Sequence, residues 1–141
     1  MTTLGNAELR RLVLKALARH MGSATGSEAL AAAAQRAYQD LARVSAPLIG
    51  QVGVDALTGR ALHLAQREYP WLVSTLEPEQ DGGPLASVIV NLGRQDPAVA
   101  TKAAGSVFAT FAGLLVTFIG EPLTADLLRR AWPDTFSERE R

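Results

Sequence analysis

Residues 98–119 read AVATKAAGSVFATFAGLLVTFI. The stretch carries one charge, Lys102, and none in the seventeen residues that follow. Gly105, Ala109 and Gly113 recur at every fourth position, with Val107, Phe108, Phe111, Leu114, Leu115 and Phe118 on the faces around them. A helix that is apolar nearly all round must be buried on most sides. The fold is therefore expected to be organised about this element. The spacing of the small residues predicts a second helix crossing close to it, and the glycine-bearing segment 48–65 is the expected partner.

The flanks separate a core helix from a membrane span. Asp96 followed by Pro97 is a helix start signal, and Gly120 is a stop. The charge-free run lies at the short end of the about 17–25 residues that cross a bilayer. Ser106, Thr110 and Thr117 weaken its hydropathy, and no aromatic or basic anchors flank it symmetrically. The stretch reads as a capped core helix of a soluble protein, with no membrane span.

Working outward, helices follow one another and strands are not expected. Asn6 is read as the N-cap of a helix reaching Met21, with Leu9, Leu12, Val13, Ala16 and Leu17 at helical spacing and Gly22 as the stop. Ser27 is the expected cap of an alanine-rich helix from Glu28 to Ser45. Pro47 should break or kink that helix, because a residue before proline avoids helical geometry. Leu48 to Tyr69 reads as a third helix, stopped by Pro70, with Trp71 and Leu72 as a plug. EPEQDGGP, residues 77–84, reads as a polar loop before a short helix, Pro84 to Leu92. A last helix runs from Glu121 to Trp132. The expected fold is all-α: a compact bundle of about six helices around residues 98–119. Residues 1–133 form one helical domain and residues 134–141 a flexible tail.

One internal comparison adds a possible symmetry. IGQVGVDALTGRA, residues 49–61, and IGEPLTADLLRRA, residues 119–131, share residues at matching offsets seventy positions apart. Ala33, Ala34, Tyr38 and Ala42 align with Ala103, Ala104, Phe108 and Ala112 at the same offset. A pseudo-twofold helical repeat would produce this pattern. So would chance alignment of alanine-rich helices.

Composition narrows the function. Fourteen Lys and Arg balance fourteen Asp and Glu, which argues against a dedicated nucleic-acid binder and removes charge repulsion as a bar to self-association. The absence of cysteine excludes disulfides, thiolate metal sites and a cysteine nucleophile. The N-terminal segment interleaves charge with leucine and lacks a signal-peptide core, so the cytoplasm is expected. Two histidines, forty-three positions apart and without carboxylates one turn away, give no metal site, and no cofactor motif is present. No catalytic residue is assigned. Arg10, Arg11, Lys15 and Arg19 form a basic stripe, read as the solvated face of the first helix. His20, at the end of that helix, reads as a cap.

The residues singled out for ligand or partner binding are His63, Arg67, Trp71, Arg130 and Trp132. Each tryptophan sits beside a proline at a helix end, where interface anchors and core lids both occur. Phe108, Phe111 and Phe118 with the two tryptophans would line a pocket if the bundle encloses a ligand. The leading expectation is a non-enzymatic interaction domain, adaptor, regulatory or assembly, that binds a protein partner or itself, as in a homodimer. The alternative is a phosphotransfer or ligand-sensing signalling domain using His63, with Arg67 one turn on to balance a phosphate. The lysine and glycine that usually follow a phosphoacceptor histidine are absent, Arg67 and Glu68 standing there.

Overall fold

The helix that begins at Ser27 passes through Pro47 and turns only at Gly50. The computed structural model describes residues 6–72 and 86–133. Its elements are α1 (Asn6–Met21), α2 (Ser27–Ala65), a 3-10 turn (Pro70–Leu72), α3 (Ala86–Gly93), α4 (Pro97–Ile119) and α5 (Glu121–Ala131). The described residues are thus all-helical, in five helices rather than the expected six. Residues 77–84 and the tail, 134–141, lie outside the described residues.

The break within α2 falls at glycine, not at the proline. Pro47 lacks an N–H and crowds a carbonyl one turn back, yet the backbone stays helical through it. Gly50, three residues on, has φ 83° and ψ 156°, a region open essentially to glycine alone. There the chain turns back. The Tyr38 hydroxyl donates to Thr58 Oγ1 at 2.8 Å, and Thr58 donates to the Val54 carbonyl at 2.8 Å. In a straight helix, twenty residues would hold Tyr38 and Thr58 about 30 Å apart. α2 is therefore a helical hairpin with limbs 27–49 and 51–65.

α4 and α5 are also joined at a glycine. Asp96 caps α4 by accepting from the Ala98 N–H at 3.1 Å, with Pro97 in the first turn. The Gly120 N–H donates to the Val116 carbonyl, closing α4, and its carbonyl accepts from Thr124, opening α5. Gly120 has φ 93° and ψ 160°. α5 folds back until Trp132 meets Phe108 edge to face at 6.3 Å, and Trp132 Nε1 donates to the Ala37 carbonyl at 3.2 Å.

The two hairpins run side by side in the same sense. Ser27 does not cap α2, whose first turn follows Gly26; its hydroxyl instead donates to the Gly93 carbonyl at 3.0 Å. The four residues from Gly93 to Pro97 can span at most about 14 Å, so α2 and α4 start together. Among the described elements, α2 and α4 pack together most extensively. Gly50 and Gly120 consequently mark the same, opposite end, the corner end.

α1 packs against both hairpins through Leu9, Leu12, Val13, Ala16 and Leu17, each at most 2% exposed. His20 closes its end: Nδ1 donates to the Ala16 carbonyl at 2.9 Å, and Nε2 lies 3.2 Å from Asp40. The close crossing on α4 differs from expectation. A side chain at Gly105 would meet Leu14 of α1 at 3.0 Å, whereas Gly113 has nothing within 4 Å. The expected partner, 48–65, does not meet the α4 glycines: Gly59 also faces open space, and Gly53 faces only its own helix. The small residues thus do not form one seam. Gly105 admits α1, and Gly113 sits beyond it.

Candidate functional site

The residues singled out in the sequence fall into two groups. His63 and Arg67 are exposed at the end of α2 and just beyond it, and Trp71 is half-buried in the 3-10 turn. Trp71 packs edge to face on Tyr69 at 6.1 Å, and Asn91 of α3 donates to the Leu72 carbonyl at 3.0 Å, pinning the turn. His63 makes no hydrogen bond or ion pair among the described residues. Arg60, like Arg67, is exposed, so cations stand one turn before and after His63. On α5, Arg130 is exposed and lies 4.0 Å from Asp126. Trp132 is 3% exposed, wedged between Ala37 and Phe108. It is a core residue.

The proposed aromatic pocket does not form. Phe108 and Phe111 are buried, Trp132 fills the space beside Phe108, and Phe118 points to solvent at 68% exposure. The void among Ala34, Val88, Leu92, Ala104 and Phe108 measures about 10 Å³. That is room for one water at most, in a lining without polar partners for it.

Large apolar side chains are exposed near each glycine turn, as Val90 of α3 and Val99 of α4 are elsewhere. Leu48 is 49% exposed, Val52 82%, Phe118 68% and Leu123 48%. Leu48 stands two turns beyond Leu41 on the same helix face, and Phe118 two turns beyond Phe111. Leu41 is 0% exposed and Phe111 2%. Each apolar face therefore runs past the point where neighbouring helices cover it. Periodicity alone could not reveal this, because it assigns faces and not where their cover ends. The available signal was the repeated Ile-Gly at 49–50 and 119–120, which marks two chain reversals with large apolar residues on either side.

Polar groups are also buried in the fold. The hydroxyls of Ser45 and Thr124 are buried without hydrogen-bond partners. Tyr38 holds its proton above the usual tyrosine range because burial opposes the phenolate; the Thr58 hydrogen bond partly offsets this, and the Asp55 carboxylate adds to it. Among the described residues no three His, Asp or Glu side chains converge to hold a metal ion. Ala7, Arg10, Arg11 and Leu14 lie along one open face of α1. α4 is long and apolar enough to cross a membrane by length and composition, with mean hydropathy 1.6 and 56% of that window buried by the rest of the fold.

Compared with known proteins, the chain matches no family model, no curated protein and no solved structure. The class the fold defines is an all-helical domain of two side-by-side helical hairpins with a basic helix packed across them.

Proposed function

We propose that this chain is a non-enzymatic helical interaction domain whose binding surface is the corner end. The observation that carries the reading is the continuation of two core faces into exposed positions, Leu41 to Leu48 and Phe111 to Phe118. Exposed apolar residues scattered singly need no explanation, but their occurrence beside both chain reversals supports a surface with a partner. Trp71, Arg67 and Arg130 stand outside it. The test is affinity capture with wild type and with Leu48→Ser/Phe118→Ser, both checked for equal melting temperature. A partner retained by wild type and lost by the variant supports the reading; equal retention overturns it.

The proposal includes a duplicated origin for the two hairpins. Supporting it, limbs 27–49 and α4 have equal length and end at glycines of nearly equal φ and ψ. Buried positions also correspond at an offset of seventy, Val54, Leu57, Thr58 and Ala61 with Thr124, Leu127, Leu128 and Ala131. A crystal structure in which residues 97–131 fail to superpose on 27–61 would reject it. The proposed location is the cytoplasm, with no membrane span and no nucleic-acid partner; recovery in the membrane fraction after carbonate washing would contradict that. A phosphotransfer reading draws support from the exposed His63 between Arg60 and Arg67. Acid-labile phosphate lost in His63→Ala would establish it in place of the first.

A further inference from the structure

Independently of any partner at the corner end, we infer that α2 opens at Gly50 and that two copies of the chain exchange halves. Residues 6–49 of one copy then pack on residues 51–72 and 86–133 of the other. Gly50 is the one residue of α2 outside helical φ and ψ. The hairpin therefore differs from a straight helix of 39 residues, about 58 Å long, by the backbone angles of a single residue. Glycine adopts both conformations, and a hinge this short invites exchange between copies.

The contacts that join the two halves are remade between copies. They include the hydrogen bonds of Tyr38 with Thr58, of Trp132 with Ala37 and of Ser27 with Gly93, and the approach of Leu14 to Gly105. Exchange thus keeps the core and alters only the hinge. There the straight helix gains. The last carbonyls of limb 27–49 and the first N–H groups of limb 51–65 become partners, and Gly50 has no side chain to cap either limb.

The apolar pattern also runs through the hinge. Leu41, Ser45, Leu48 and Val52 follow at spacings of four, three and four. The first two are 0% exposed, whereas Leu48 is 49% and Val52 82% exposed. Val52 shares a face with the others only when the helix runs straight through Gly50. In an exchanged dimer the two straight helices lie antiparallel about the twofold axis, which brings Leu48 and Val52 close to their own copies. The second corner is locked against this. Pro122 lies two residues past Gly120, and in a straight helix its ring would strike the Phe118 carbonyl. Pro47 precedes Gly50 and lies within helical backbone already, so opening α2 adds no such clash.

Size-exclusion chromatography with light scattering, after refolding from urea at low and at high protein concentration, tests the exchange. Wild type refolded at high concentration should trap a dimer that survives dilution, because the halves separate only by unfolding. Gly50→Ala should raise the ratio of dimer to monomer about tenfold or more, since the hairpin angles strain alanine and helical angles do not. Replacing Gly50 by Gly-Ser-Gly-Ser-Gly should abolish the dimer. Gly120→Ala should leave it at the wild-type level. A dimer that returns to monomer within seconds of dilution is surface association and overturns the exchange. So does a wild type that traps no dimer, or a lengthened hinge that dimerises as readily; both results decide the matter even if Gly50→Ala fails to fold. A Gly120→Ala protein that dimerises as much as Gly50→Ala overturns Gly50 as the hinge.

Discussion

Alanine substituted at Gly50 or Gly120 should weaken the protein, and the same substitution at Gly59 or Gly113 should strengthen it. At Gly50 an added Cβ meets nothing within 4 Å, and at Gly120 only Pro122 Cδ, at 3.8 Å. Neither site carries a steric clash with its surroundings. The effect is then the backbone's own: a non-glycine residue held at φ 83° or 93° with ψ near 160° costs about 1–3 kcal/mol. The helical Gly59 and Gly113 also face open space, but at ordinary helical φ. There alanine removes conformational freedom from the unfolded chain and gains about 0.5–1 kcal/mol. For a chain of this size each kcal/mol moves the melting temperature by about 3–4 °C. Thermal melts by far-UV circular dichroism, with urea titrations, resolve both signs. A Gly50→Ala protein as stable as wild type would refute the corner, since a hairpin without the positive φ has no need of glycine. A loss at both Gly59 and Gly113 would refute the open space assigned to them.

Three further outcomes follow from the packing. Ser45→Ala and Thr124→Val each remove a buried hydroxyl that lacks a partner, so urea titrations should show gains of up to about 1 kcal/mol, and losses would mean that the hydroxyls are satisfied. Trp132→Ala should cost about 3–5 kcal/mol because it empties a core position, whereas Trp71→Ala, at a half-buried edge contact, should cost about 1 kcal/mol; near-equal melts would contradict the separation of the two tryptophans. Tyr38 keeps its proton longer folded than unfolded, so its contribution is full below pH about 10 and lost as pH rises through the raised folded value. The stability difference between wild type and Tyr38→Phe should narrow above that pH, and a constant difference would reject the buried phenol.

Much of this fold is legible in the sequence because its punctuation is local. Asp96, Pro97 and Gly120 bound α4 where a start signal and a stop signal place them, and the five apolar positions of α1 are buried as helical spacing requires. The misreadings share a cause. Pro47 looked like a break because the rule for residues before proline is local, while the actual turn at Gly50 depends on limb 51–65 folding back to be tied by Tyr38 and Thr58. The seam of Gly105, Ala109 and Gly113 looked continuous because spacing gives a face but not the length of its cover; α1 reaches Gly105 and has passed before Gly113.

The surface argument turns on the same limit. Leu41 with Leu48, and Phe111 with Phe118, are indistinguishable in periodicity, and only the end of the bundle separates buried from exposed. The apolar pattern runs one turn past the last buried positions, Ser45 and Leu115, to the exposed Leu48 and Phe118, and this supports the proposed partner. That argument holds for the two hairpins together more strongly than for either alone. A single overhanging residue is ordinary, but the overhang occurs at the same place in both, next to glycines of the same conformation and at the same end of the molecule. If the hairpins arose by duplication, the overhang was present in the ancestral unit and was kept in both copies, Leu48 in one and Phe118 in the other. If they did not, two independent helices acquired the same exposed feature, which makes a shared partner at the corner end the simpler reading still.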